Sequence, residues 1–497
     1  MTSAVLDARP LDDDVARQAI TRVLSDSYDR FADQLAACGY CTRPVRLRSN
    51  SVTVDAATGE VLSRYDTAAE PDGVAYIRCG NRRASVCPSC SREYKGDMWH
   101  LLAAGAGGGM KGVPATVGLH PQVFVTLTAP SFGPVHTTRP TREGTPGRCR
   151  PHRHGGWLCR HGRPTWCDHT HGDDDRRLGS PLCPDCYDYT GHVVWQWHAP
   201  ELWRRFTIAL HRELATELGI ARTRLREFAR VSFAKVAEFQ RRGIVHFHAI
   251  IRLDGPATSD EPYPFPTVGL DATRLGELVR SAAAKVHAQA PPTSPGDVAR
   301  HLGFGRQLDV RTVRPVASED GEQELSARRV AAYIAKYATK ACEDFGIPTG
   351  TAGPEIARSL GVPEHPVRII ATAARIARHQ HDDTYDGLGR WLHMLGFRGH
   401  FATKSRRYSV TLARLRTARR RWHTANLRRR STQTPVVDID QEDETTLVVG
   451  NWAFAGIGWR TAGDAALAAE SAALAREYAD RRPGHPQASA RRRTLRP

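Results

Sequence analysis

Residues 231–254 read VSFAKVAEFQRRGIVHFHAIIRLD, two runs rich in β-branched and aromatic residues on either side of an Arg-Arg-Gly turn. This pattern predicts an antiparallel hairpin, and any fold for the chain must build a sheet around it. Side chains alternate along a strand, so His246 and His248 share one face while Val245, Phe247 and Ala249 point the other way, towards a core. With the turn centred on Arg242, Glu238 falls opposite His246 and adds a carboxylate oxygen to that face. Two imidazoles and one carboxylate leave coordination positions open for substrate and water, which suits a catalytic divalent ion better than a structural one. Taken alone, such a pair is more often two surface histidines than a metal site.

The surrounding segments change that balance. Val123–Thr128 (VFVTLT) reads as another apolar strand, and Ser326–Ala341 as a helix. At about 100° per residue, Val330, Ile334, Ala338 and Ala341 form its packing stripe, with Tyr333 and Tyr337 on the margin and Lys336 and Lys340 just beyond. Tyrosines four apart share a helix face and can reach one site. Without the hairpin they would pass for ordinary boundary residues.

Charge narrows the class of partner. The 497 residues carry 70 Lys and Arg against 53 Asp and Glu, a net +17, which favours a polyanion over an acidic small molecule. The length predicts two to four domains. No signal peptide and no apolar run of roughly 18 residues is present, so a cytoplasmic protein with no membrane partner is expected. The eleven cysteines include three C-x2-C pairs, and in a cytosolic chain these point to zinc rather than disulfides.

One zinc site is expected from Cys41, Cys79, Cys87 and Cys90, with Cys38 the substitute for Cys79. Its role is read as structural. A second is expected in a segment saturated with Cys, His, Gly and Asp, where Cys159, Cys167, Cys183 and Cys186 fit a knuckle and His152, His154, His161, His169 and His171 are competing ligands. So polar a loop needs an ion to stay compact, and it reads as an insertion, about residues 147–190, in the domain that carries the hairpin. Gly105–Gly112 (GAGGGMKG) lacks the Gly-Lys-Ser/Thr ending of a phosphate loop and is a flexible connection. With no nucleotide-binding signature, strand unwinding would fall to a host helicase.

The C-terminal third is basic. Arg398, Lys404, Arg406 and Arg407 lie among glycines and aromatics, and eight arginines between Arg414 and Arg430, with no acid, continue the charge along a helix. Arg414, Arg419 and Arg420 join the first four as candidate DNA contacts, since so dense a run usually meets phosphate. The expected layout is an N-terminal zinc-binding region (1–115), a catalytic domain (116–345), a linker (346–390), a basic DNA-binding domain (391–482) and a disordered tail (483–497). An acidic connection at Thr434–Thr446, a short hairpin at Leu447–Trp459 and an Ala-rich helix at Asp464–Asp480 subdivide its end.

In order, the strand, the His-Phe-His strand and the tyrosine helix resemble the three motifs of the HUH endonucleases. More narrowly, the chain resembles the RepSA-type replication initiators of actinobacterial plasmids and integrative elements. The resemblance is carried by CGNRRASVCPSCS from Cys79, PLCPDCYDY from Pro181, EFQRRGIVHFHAIIRLDG from Glu238, YIAKYATK from Tyr333 and HMLGFRGHFATKSRRYS from His393. It implies an α+β fold, with a central antiparallel sheet bearing the histidines, the tyrosine helix beside it, and zinc-bearing and basic additions. It further implies that Tyr333 and Tyr337 are nucleophiles assisted by Lys336 and Lys340, acting with Mg2+ or Mn2+ at Glu238, His246 and His248. The third metal ligand varies in such enzymes, and here the resemblance assigns it to Glu238.

The chemistry makes these residue types intelligible. Cutting a DNA strand by transesterification needs an oxygen nucleophile, a cation on the scissile phosphate and a single-stranded substrate. A phenolate is also a tolerable leaving group, so a 5′-phosphotyrosine conserves the bond and a later 3′-OH can rejoin the strand. The expected function is nicking of origin DNA to start rolling-circle replication, with the host replication machinery as partner. A relaxase usually carries its tyrosine before the histidines, whereas an HUH transposase can share this order. The non-enzymatic alternative is a zinc-stabilised DNA-binding regulator.

Overall fold

The computed structural model describes residues 12–141, 144–152, 157–313, 326–337, 347, 353–379, 381–431 and 446–481. Two compact units are present: Met98–Val410, and a second built from both ends of the chain, Met1–Asp97 with Thr411–Pro497. The fold is α+β with antiparallel sheets. Among the described residues no helix is long and apolar enough to cross a membrane.

The larger unit is organised by a five-stranded antiparallel sheet in the order Leu308–Thr312, Gln122–Leu127, Val245–Asp254, Arg230–Phe239, Ala402–Lys404. Its centre is the predicted hairpin, in register Glu238↔His246, with Thr126 of the neighbouring strand opposite His248. Phe247, Ala249, Ile251 and Leu253 alternate with the histidines and are buried with Val123, Val125 and Leu127 in the main core. Against that core face pack the helices Tyr189–Glu217 and Ala272–Ala284. The longer one starts where the Asp188 carboxylate accepts from the Gly191 N–H at 2.7 Å, and the shorter where Asp271 accepts from Arg274 N–H at 2.7 Å, each carboxylate satisfying a helical N–H that has no partner within the helix. The other face carries the histidines and, from Ala327–Tyr337, the tyrosine helix, whose Val330, Ala331, Ile334 and Ala335 are buried. The expected stripe residues Ala338 and Ala341 lie outside the described residues.

The expected domain layout needs correction at two places. Residues 346–390 are not a linker: Pro354–Ser359 and Glu364–His379 are helices, and Val367, Ile369, Ile370 and Ala373 are fully buried in the main core. Nor do residues 391–410 open a C-terminal domain, because Leu395, Phe397 and Phe401 enter that same core and Ala402–Lys404 forms the outer strand beside the hairpin.

The second unit corrects another expectation. Residues 447–459 do not form a local hairpin; Thr446–Ile457 is one strand, paired from end to end with Val45–Asp55. Val61–Asp66 and Ala75–Ile77 flank Val45–Asp55 on its other side. The N-terminal segment contributes two helices, Asp13–Val23 and Tyr28–Ala37. Arg22 joins Asp72 and Asp464, each at 2.7 Å. Trp459 packs edge-on to Phe31 at 5.4 Å and donates its indole N–H to the Cys41 carbonyl at 3.1 Å.

The burial of Glu364–His379 has a measurable consequence. Ile369→Ala removes a fully enclosed side chain and should cost about 2–5 kcal/mol, read as a lower urea midpoint. A midpoint equal to that of the unchanged chain would restore the linker reading.

Candidate active site and metal centres

The hairpin turn sets the geometry of the site. Gly243 takes φ +76, a conformation open to glycine without cost, and its N–H donates to the Gln240 carbonyl at 2.8 Å. The turn is then gripped from outside. His192 donates Nε2–H to the Gly243 carbonyl at 3.2 Å while Tyr187 O–H donates to its Nδ1 at 2.9 Å. His365 does the same to the Arg242 carbonyl at 3.0 Å, with Tyr189 O–H on its Nδ1 at 3.1 Å. Burial holds both imidazoles below the usual histidine range, His365 at about 4, so both stay neutral and keep this donor and acceptor arrangement. Arg242 reaches away to donate to the carbonyls of Ala129 and Pro130 at 3.1 and 3.0 Å.

With the turn held, three predicted ligands converge. One oxygen of Glu238 lies 2.9 Å from His246 Nε2 and 3.0 Å from His248 Nε2. The three ligand atoms lie within 4.8 Å of one another, a spacing that could hold a metal ion. Burial by itself would push the Glu238 carboxyl up; the hydrogen bonds from His246 and His248 outweigh it and hold the group down at about 2. Burial lowers His248 despite Glu238. A carboxylate held low beside two imidazoles is a donor set for a divalent cation.

Sequence reasoning missed the residues behind this triad. His248 Nδ1 is 3.0 Å from the Thr126 hydroxyl, a contact that fixes the ring and leaves Nε2 directed at Glu238. Phe124, on the same strand as Thr126, stacks on the His248 ring at 5.7 Å. The signal was present in the VFVTLT strand, and only its pairing register was lacking.

The tyrosine helix brings both predicted phenols to this place. The His248 ring lies 5.3 Å from Tyr333 and 5.6 Å from Tyr337, and the two tyrosine rings are 4.7 Å apart. Phe124 meets Tyr333 edge-on at 5.9 Å. Tyr333 is 42% exposed, so one phenol faces solvent while Tyr337 is half-buried. Burial, then the hydrogen bond with Tyr333 and the charge of Glu238, push the Tyr337 phenol up. The Lys336 ammonium sits 5.6 Å from the Tyr337 ring centre. Lys340 lies outside the described residues.

The first cysteine group assembles as expected: Cys41, Cys79, Cys87 and Cys90 form a cluster that could hold a metal, with Cys41 Sγ 3.7 Å from Cys87 and 3.6 Å from Cys90. Backbone N–H groups of Cys79 and Cys90 point at the sulfurs of Cys41 and Cys87, at 3.4 and 3.5 Å. Cys38 is left out and donates its thiol to the Leu35 carbonyl. The expected second group does not form. Cys159, Cys183 and Cys186 gather with His161, whereas Cys167 joins His136, Cys149 and His171 elsewhere. Of the competing histidines, only His161 and His171 are in a cluster among the described residues; His154 lies outside them.

The basic candidates divide. The Arg398 guanidinium lies over the Trp197 ring, 4.2 Å from its centre, and Lys404 donates to the carbonyls of Ser405, Arg406 and Ser409 at 3.0–3.3 Å, so both brace the fold. Arg419 pairs with Glu93 at 2.8 Å and with Asp97. Arg406, Arg407, Arg414 and Arg420 are exposed, and Arg407 donates to the Ala257 carbonyl at 3.2 Å.

A replication initiator of Streptomyces ambofaciens is 42% identical over 477 residues, 94% of each chain. No solved structure matches. Residues 27–473 match the model of the RepSA family, described as "Replication initiator protein, pSAM2". The chain therefore belongs to the RepSA family of replication initiator proteins.

Proposed function

We propose that this initiator is an HUH-type nickase and strand transferase that opens origin DNA for rolling-circle replication. The observation that carries the reading is the meeting of two tyrosines with a Glu-His-His triad on the open face of an antiparallel sheet. A divalent ion such as Mg2+ or Mn2+, held by Glu238, His246 and His248, would neutralise charge on the scissile phosphate. The chain's own residues do the rest. Thr126 and Phe124 hold His248 in place, and the exposed Tyr333 is open to a single strand. A tyrosine oxygen attacks phosphorus, the bond from phosphorus to the 3′ oxygen breaks, and the phenol's proton is replaced by the new P–O bond while the leaving oxygen takes up a proton. The product is a 5′-phosphotyrosine and a free 3′-OH, and reversal by another 3′-OH rejoins the strand. Lys336, whose ammonium lies 5.6 Å from the Tyr337 ring centre, would steady the phosphate or the phenolate. Zinc at Cys41, Cys79, Cys87 and Cys90 serves structure, and exposed arginines of Leu412–Ser431 serve origin contact. Unwinding is left to a host helicase.

His246→Ala or His248→Ala should abolish covalent attachment to a labelled single-stranded origin fragment on a denaturing gel while leaving the fold intact by circular dichroism. Normal adduct with both variants would remove the metal assignment.

The tyrosine pair can alternate, one holding the 5′ phosphate while the other cleaves the regenerated origin. Tyr333→Phe and Tyr337→Phe should then each retain part of the adduct, and the double variant none. Complete loss in one single variant with full replication in the other would reduce the site to one nucleophile.

Neutralising Arg414, Arg416 and Arg420 together should weaken duplex origin binding and flatten its salt dependence by up to about 0.9 log unit per lost contact, with short-oligonucleotide cleavage little changed. An unaltered salt slope would show that this helix face meets no phosphate.

A further inference from the structure

The insertion, together with His136 just before it, holds more soft ligands than one knuckle uses, and the structure sorts them. His136, Cys149, Cys167 and His171 bring two thiols and two imidazoles together, with Cys149, Cys167 and His171 buried. His171 Nε2 lies 3.1 Å from His136 Nδ1 and 3.4 Å from Cys167 Sγ. On its far side His171 Nδ1 meets the Asp175 carboxylate at 2.7 Å, the carboxylate–imidazole arrangement that fixes a metal-binding tautomer. Arg177 pairs with that carboxylate at 2.9 Å, and the Thr137 N–H points at Cys149 Sγ at 3.2 Å. The second group has its own frame. Cys159 opens a tight turn in which Gly162, at φ +70, donates to the Cys159 carbonyl at 2.8 Å, and His161 Nδ1 comes within 3.2 Å of Cys186 and 3.6 Å of Cys183.

The order along the chain is informative. Taken in pairs, His136 with Cys149 and Cys167 with His171 serve the first group, while Cys159 with His161 and Cys183 with Cys186 serve the second, so the pairs interleave. Each group therefore closes a loop that contains half of the other. We propose that the insertion is a cross-braced module holding two structural zinc ions, one in a two-cysteine two-histidine site and one in a three-cysteine one-histidine site. Thiolate and imidazole donors in closed sets of four suit zinc, and a segment of this polarity gains its order from the ions.

The module also reaches the active-site hairpin. Arg241, in the turn between Glu238 and His246, donates to the Asp173 carbonyl at 2.5 Å, and Gly179 presses so closely on the Arg241 backbone that a Cβ there would lie 2.1 Å from its carbonyl oxygen. The Asp185 carboxylate, beside Cys186, pairs with Arg368 of Glu364–His379 at 2.9 Å. The ions thus order a body that buttresses the turn joining the two ligand-bearing strands.

Metal counting tests the proposal without reference to nicking. The full chain, purified with zinc, treated with EDTA to strip any hard-ligand site and desalted, should carry three zinc ions by native mass spectrometry, including the one at Cys41, Cys79, Cys87 and Cys90. Cobalt substitution should show charge-transfer intensity for nine thiolates on three ions. Two ions and eight thiolates would return the insertion to a single knuckle and overturn the proposal. Cys149→Ser should lower the zinc count, since Cys149 belongs to the first group; an unchanged count would overturn it too. The unmodified chain decides the matter even where that variant fails to fold.

Discussion

The pairing of Glu238 with His246 is the constraint on which the site depends. A slip of one residue would turn every side chain of the second strand over, burying the histidines and exposing Phe247 and Ala249. Three kinds of restraint oppose that slip. Gly243 allows the tight turn, the core face is apolar along its whole length, and neutral imidazoles from two separate helices hold the turn's carbonyls. Such redundancy suits a centre whose ligands come from adjacent strands and whose tyrosines come from a helix far along the chain.

Much of this site was legible because its signals are local. Alternation placed both histidines on one face, the Arg-Arg-Gly turn gave the register to Glu238, and four-residue spacing put Tyr333 and Tyr337 together. Thr126 and Phe124 were not legible in the same way, since their role depends on which strand lies beside the hairpin. The insertion failed for a different reason: its many soft ligands can be partitioned by spacing in several ways, and only the fold shows Cys167 turning to His171 while His161 joins Cys186. For residues 346–390, Pro, Gly and Ala obscured a readable stripe, Val367, Ile370 and Ala374, at helical intervals. The pairing of Val45–Asp55 with Thr446–Ile457 had no local signature at all.

Donor softness separates the clusters of this chain. Among the described residues, carboxylate and imidazole lie on the sheet face beside the tyrosines, whereas the cysteines gather in three groups of four side chains, two of them shared with histidines in the insertion and one packed among Phe31, Tyr76 and Trp459. The same contrast governs the arginines. Arg419 is bound by two carboxylates and Arg398 by an indole face, so positive charge in this region is partly spent on cohesion. Net charge therefore overstates the surface left for a polyanion.

The end-to-end pairing of Val45–Asp55 with Thr446–Ile457 also orders events in time. During synthesis the four cysteines of the first cluster precede Met98–Val410, but the strand that pairs with Val45–Asp55, and the Trp459 indole that donates to the Cys41 carbonyl, follow it. Met98–Val410 is complete before then and can fold as a unit. A chain broken off between the two stages is left with the open edge of Val45–Asp55, where backbone donors and acceptors await any passing strand. The smaller unit therefore closes its sheet only once both of its separated segments have been made.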